Sequence, residues 1–166
     1  MPACGKERKR QARNRKDGAC RTNEMKLLFL AIFPLLTIFA GPAFPAELNV
    51  TVYGLRSDLG DVHVAVYNAA DRFPKDGEYL TTAVVAAAAG KVTVTFKGLA
   101  AGNYALAVYH DENDNNKFDQ GILGVPLEGY GFSNDAAVFF GPPDFAAAAI
   151  VLAEPAANIT IRMSYW

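Results

Sequence analysis

Four oxygen-bearing side chains, Asp111, Asn113, Asn115 and Asp119, stand at positions 1, 3, 5 and 9 of the stretch DENDNNKFD. That alternation is how a chain curls around a hard divalent cation, and the Lys117 carbonyl falls at position 7, where such loops use a backbone oxygen. Calcium is the cation this donor set suits. The stretch departs from an EF-hand loop in two places: Asn116 stands where glycine is usual, and position 12 is Ile122 where a bidentate glutamate belongs. Asn tolerates a left-handed turn next best after glycine, so the first departure is mild. The second leaves the closing ligand to come from elsewhere, with Glu128 or water as candidates. Two carboxylates and two amides predict weak affinity, on the order of 10⁻⁴ to 10⁻³ M, which millimolar extracellular calcium would still satisfy. The competing reading is a metal-free loop in which Asp and Asn side chains cap their own backbone amides.

Other chemistry is thinner. His110 beside Asp111, with Ser133 downstream, has the residue types of a serine hydrolase. Ser133 lies in GFSN, which is not a nucleophile elbow, and neighbours on a strand point to opposite faces, so Asp111 is poorly placed to orient His110. His63 and His110 are the only histidines and neither has a partner at zinc-ligand spacing. His63 falls on the more polar face of its strand, as a solvated or cross-strand residue does. Tyr109, Phe118, Tyr130 and Phe132 surround the polar loop, and exposed aromatic faces would suit a glycan or small molecule.

The elements that must position these residues read as strands. LNVTVYGL alternates with Leu48, Val50 and Val52 on one face, and DVHVAVYN with Val62, Val64 and Val66. With Ser57-Asp58-Leu59-Gly60 between them, the two predict a hairpin. Phe73, in a Pro- and Gly-containing loop, is expected to tuck beneath it as a plug. EYLTTAVVAAAAG is ambiguous between helix and strand and is read as strand; KVTVTFKGL places Val92, Val94 and Phe96 inward. YALAVYH delivers His110 and Asp111 to its end. Gly121, Gly124, Pro126, Gly129 and Gly131 predict an ordered irregular loop after the polar stretch. AAVFF reads as a short strand, and FAAAAIVL with NITIRMSYW as a closing hairpin. The fold class is therefore all-β, a single sandwich of seven or eight mostly antiparallel strands.

The chain has 166 residues, and its first quarter differs in composition. Residues 1–24 are a basic leader with little to bury; polyanion binding and an upstream extension of a reading frame starting at Met25 are its two readings, and the second fits better because export also uses a basic segment. Residues 25–46 read as a signal peptide, an apolar run followed by GPAFPA, with cleavage expected after Ala43 or Ala46. Pro34 interrupts the run and its length falls short of a span of roughly 20 residues, so no stable membrane span is expected once it is cleaved. Residues 47–166 form the domain. They hold 7 Lys or Arg and 14 Asp or Glu, so 7 − 14 gives −7, which argues against a nucleic-acid partner. Both cysteines, Cys4 and Cys20, precede this domain, which therefore has neither disulfide nor thiolate chemistry.

Two segments carry a resemblance. HDENDNNKFD (110–119) and GVPLEGYGFSN (124–134), followed by GPPDFAAAAIVL, closely resemble the bacterial exported family catalogued as domain of unknown function 2141, and the similarity extends over nearly all of residues 48–163. In that family the sixth loop position is commonly Gly, where this chain has Asn116. The resemblance implies an exported β-sandwich similar to transthyretin-like and carboxypeptidase-regulatory-like modules, and it implies no substrate. The function expected is that of a non-enzymatic binding or structural module, periplasmic or at the cell surface, with a calcium-stabilised loop and an envelope protein or glycan as partner. A glycan or small-molecule binder using the loop aromatics, and a hydrolase using His110 and Ser133, are the alternatives.

Overall fold

The computed structural model describes residues 46–153 and 155–166. The basic residues 1–24 and, apart from Ala46, the segment 25–46 read as a signal peptide lie outside the described residues. The first strand, β1 (Ala46–Leu55), buries Ala46, Leu48, Val50 and Val52 completely and turns Asn49 and Thr51 outward, as its period of two requires. Next come β2 (Asp61–Tyr67), β3 (Thr81–Ala86), β4 (Gly90–Leu99) and β5 (Gly102–Asp111). The remaining strands are β6 (Gly129–Phe132), β7 (Ile150–Leu152) and β8 (Ala156–Arg162).

These eight strands form two sheets. One has the order β4-β1-β8; the other runs β3-β2-β5-β6, with β7 also paired to β5. β5 accepts β6 along Ala107 to His110 and β7 along Gly102 to Tyr104, so both short strands share one edge of it. All pairs are antiparallel except β1 with β8. Leu48, Val50, Val52, Val94, Phe96 and Ile161 of the first sheet share one core with Val62, Val64, Val66, Leu106, Val108 and Leu152 of the second. Burying each such aliphatic side chain contributes about 1.5–3 kcal/mol against chain entropy. The all-β expectation and the alternating faces of β1, β2 and β4 are those observed.

Four local expectations are corrected. The first two strands are not a hairpin: β1 and β2 lie in different sheets, and residues 56–60 carry the chain across. Gly60 makes the crossing possible, because its φ is +64° and a Cβ there would stand 1.8 Å from the Asp111 carbonyl oxygen. AAVFF is not a strand; Phe139 and Phe140 are exposed and unpaired. The last two strands do not pair with each other either, since β7 joins β5 and β8 runs parallel to β1, while Phe145–Ala148 is a single α turn. The GYGF segment, expected to be irregular, is strand β6.

A second, smaller cluster lies on the outer face of the larger sheet. Phe73 packs there against Tyr67, Ala105 and Ala148, edge-on to Tyr67, Phe132 and Phe145, and is the plug its loop predicted.

Candidate functional site

β5 ends on Asp111, whose side chain is 1% exposed. Its Oδ1 accepts the Asn115 amide at 3.1 Å and its Oδ2 the Asn116 amide at 2.6 Å. These two bonds bend the chain back on itself, and Asp114 and Asn116 take the left-handed conformation the bend needs, at φ 57° and 59°. Asn113 Oδ1 then accepts the Asn115 amide at 3.1 Å and Asn115 Oδ1 the Lys117 amide at 2.8 Å. The Nδ2 groups of Asn113 and Asn115 both donate to Asp119 Oδ2 at 2.8 Å. The side chains predicted at positions 3, 5 and 9 are thus brought to one point, with Asp111 beneath them. Each amide oxygen engaged by one N–H keeps a second lone pair.

Between Asp119 and Glu128 the chain makes a closed finger. The Leu127 amide donates to the Asp119 carbonyl at 3.0 Å and the Gly121 amide to the Val125 carbonyl at 2.8 Å, while Gln120 bridges Pro126. Its tip, Ile122 and Leu123, is 89% and 96% exposed. The finger returns the chain to its starting point, and Glu128 Oε2 accepts the Asp119 amide at 3.1 Å. Glu128 is only 4% exposed and its Oε1 is buried without a hydrogen-bond partner. Burial pushes its pKa up and the Asp111 and Asp119 charges add to the rise, whereas the Asp119 amide and, more weakly, the Glu112 amide pull it down.

His63 flanks the same aspartate from β2. It stacks on Tyr109 with ring centroids 4.4 Å apart, in register across the β2/β5 ladder. Its Nε2 lies 3.7 Å from Asp111 Oδ2, too far for a hydrogen bond, and is buried without a partner. Desolvation lowers its pKa and the Asp111 charge only partly offsets that. Burial likewise pushes the Tyr109 phenol up to about 12, with Asp111 contributing.

His110 serves a different purpose. It is fully buried, with Nδ1 2.8 Å from the Tyr165 hydroxyl and Nε2 2.8 Å from the Leu59 carbonyl. Arg56 lies over the Tyr165 ring, 4.5 Å from its centroid, and pairs with Glu112, which also accepts the Ser57 hydroxyl at 2.7 Å. The Arg56 bond holds the Glu112 carboxyl below the ordinary carboxylate range. This network ties the crossing loop, the end of β5 and the C-terminus together at the base of the polar loop. Ser133 is also fully buried: its Oγ donates to the Ala148 carbonyl and accepts the Leu106 amide at 2.9 Å. The structure gives His110 and Ser133 separate partners, each a structural one.

The loop aromatics form a continuous row, from Tyr109 to Phe118 to Tyr130 to Phe132, with centroid separations of 5.9, 6.3 and 6.3 Å. All four are half-buried and spend much of their area on each other. A cavity of about 200 Å³ beside Tyr130 and Phe132, reaching Asp135 and Arg162, is smaller than a small-molecule site of roughly 300–1,000 Å³. Among the described residues no group of three or more His, Cys, Asp or Glu side chains stands in metal-holding geometry, so a cation at the loop would draw on the Asn oxygens and the Lys117 carbonyl as well. No helix among the described residues is long and apolar enough to cross a membrane.

Two sheets around one core, with an Asx-rich loop at the end of a central strand, define an all-β protein whose distinctive surface lies between residues 109 and 135. The model of a family described as an uncharacterized protein conserved in bacteria, domain of unknown function 2141, matches residues 50–160, and the chain belongs to that family. The match spans both sheets and the whole loop. No curated protein and no solved structure matches the chain.

Proposed function

We propose that this chain is an exported, non-enzymatic binding or structural module of the bacterial cell envelope whose loop 111–119 is held rigid by calcium. The observation that carries this reading is the gathering of the Asn113, Asn115 and Asp119 side chains beside the buried Asp111 carboxylate, where the two Asn Nδ2 groups donate to Asp119 Oδ2 at 2.8 Å and a turn of each amide would present its oxygen instead. Oxygen is the only ligand element those side chains and the Lys117 carbonyl would offer, and hard oxygen donors with few charges suit calcium at extracellular concentrations. Calcium would supply charge neutralisation and a fixed loop shape; the chain itself supplies the curl, through its amides and its left-handed Asn116.

Support for a contact role comes from the finger. Ile122, Leu123, Val125 and Leu127 are all exposed, on a segment with no charged side chain between Asp119 and Glu128. Such a cluster of aliphatic side chains marks a contact surface, and an envelope protein is the partner it would serve. Export itself rests on the apolar segment after Met25. Ala46 opens β1 and is fully buried against the core, so cleavage after Ala43 would preserve the strand where cleavage after Ala46 would trim it. Calorimetric titration of the purified protein with CaCl2 tests the cation reading: saturable binding near millimolar, lost in Asp111→Ala and Asp119→Ala, is expected, and no heat from wild type would refute it. Mass spectrometry of the host-derived protein tests export, and an intact Met1 terminus would refute it.

A further inference from the structure

We propose that the outer edge of β3 is an interaction surface that pairs with the same edge of a second copy of this chain, joining two of the larger sheets into one. Among the described residues β3 ends its sheet, with β2 on one side and no strand on the other. The Ala87 amide donates to the Gly60 carbonyl at 2.9 Å, one step beyond the pairing of Asp61 with Ala86, and this fixes which residues face which way. Bonded and non-bonded pairs alternate along an antiparallel ladder. Thr81, Ala83 and Val85 therefore turn their N–H and C=O towards β2, and Thr82, Val84 and Ala86 turn theirs outward. The same alternation carried through β2 to β5 turns the Leu106 amide away from β2, where Ser133 Oγ receives it.

The other strand edges are closed by recognisable devices. β4 carries Lys91 and Lys97 on its solvent face, β7 has only three residues, and β6 exchanges backbone bonds with Ser164 through Tyr130. β8 follows Pro155, and Asp135 Oδ1 takes its Arg162 amide at 2.8 Å. Lysine, proline, brevity and cover are how an edge is kept from pairing with another chain. β3 has none of them: residues 79–90, YLTTAVVAAAAG, hold no charged side chain and no proline, and Tyr79, Leu80 and Val84 are exposed. Two features select a second copy as the occupant. An antiparallel pair centred on Val84 sets Val84 against Val84 and Thr82 against Ala86 of the second copy, so each outward N–H and C=O meets its complement about a two-fold axis. On the core side, the half-buried Ala83 and Val85 lie against Val85 and Ala83 of that copy. Domains with twice as many acidic as basic side chains also repel each other, and a charge-free edge is where two of them can approach.

One strand's width covers less than the roughly 800 Å² per partner of a standard interface, so the dimer is expected to be reversible, with Kd on the order of 10 μM. Sedimentation velocity over a concentration series, run in chelator so that the polar loop plays no part, measures it. Wild type should pass from monomer to dimer around that concentration. Val84→Pro removes one outward N–H and no bond to β2, while Val84→Lys sets two ammonium groups against each other on the axis. Each should weaken dimerisation on the order of tenfold or more with the far-UV circular dichroism of wild type retained. Thr160→Lys, on the exposed face of β8, should leave the dimer unchanged. If Val84→Pro does not fold, Val84→Lys decides. Wild type that stays monomeric up to about 1 mM, a dimer that survives both Val84 variants, or one that is lost in Thr160→Lys would overturn the pairing. None of these results bears on the cation reading.

Discussion

Ser133→Ala separates a structural serine from a nucleophile, and the structure sets the size of the effect. The hydroxyl is fully buried, accepts the Leu106 amide at 2.9 Å and donates to the Ala148 carbonyl. It thereby joins the middle of β5 to the α turn at Phe145–Ala148, two segments with no backbone bond to each other at that point. Alanine would leave the Leu106 N–H buried and unpaired, which costs about 1–3 kcal/mol, and would take a donor from a carbonyl that has two lone pairs, a smaller loss. The total is about 2–4 kcal/mol. For a domain of this size each kcal/mol moves the midpoint by roughly 3–5 °C, so a drop on the order of 10 °C is expected. Urea unfolding followed by circular dichroism should show a lower midpoint at unchanged slope, since the same surface is exposed in both proteins. Stability within about 0.5 kcal/mol of wild type would refute the reasoning, because that is the range of a surface substitution.

Gly60→Ala should cost more than about 3 kcal/mol, as backbone rather than a flexible side chain blocks its Cβ; a midpoint near wild type would show that the crossing loop can move away from Asp111. Leu123 sits at φ 65° with 96% of its surface exposed, so it bears left-handed strain with no packing in return. Leu123→Asn is expected to gain about 0.5–1 kcal/mol in chemical unfolding, and a loss of stability would contradict this. Burial pushes the Tyr67 phenol up to about 12, and its hydroxyl donates to the Lys75 carbonyl at 3.1 Å. The unfolded phenol ionises near 10 while the folded one keeps its proton to about 12, so Tyr67 contributes stability that is full below 10 and is lost as pH rises through that window. Tyr67→Phe should make alkaline unfolding less steep between those values, and an identical pH profile would count against it.

Much of the local structure was legible because it is written in a period of two. Leu48, Val50 and Val52, then Val62, Val64 and Val66, alternate as they do because one face of each strand meets the core. Partner choice is not written that way. The turn residues 57–60 serve equally well to return a chain within its sheet or to carry it across, so the expected hairpin became a crossing. β8 pairs in parallel with β1, over a hundred residues away, and nothing in NITIR specifies that neighbour. GYGF was read as irregular on account of its glycines, yet they are what let β6 form. A Cβ at Gly129 would meet the Tyr165 ring at 2.3 Å, and one at Gly131 the Arg162 carbonyl at 2.7 Å. Those contacts are long-range and leave no mark on the segment itself. AAVFF failed for the opposite reason, an apolar run without a sheet edge to join. At the site, the 1-3-5-9 spacing identified the side chains that meet, and Glu128 was among the two candidates for closing the loop. The unpartnered oxygen of Glu128 and the placement of His63 against Asp111 required the register of β2 on β5 and the closure of the finger.

The central claim is that a cation holds the loop, and thermal unfolding in calcium, magnesium or chelator tests it most directly. A ligand that binds only the folded state adds RT ln(1 + [L]/Kd), about 1.4 kcal/mol when calcium is roughly tenfold above Kd. That corresponds to a midpoint about 5 °C higher in several millimolar calcium than in chelator. Magnesium, which demands a tighter octahedron, should give a smaller rise, and Asp111→Ala and Asp119→Ala should each remove the calcium effect. Equal midpoints in all three conditions would contradict the claim and assign residues 111–119 to a metal-free loop closed by its own amides.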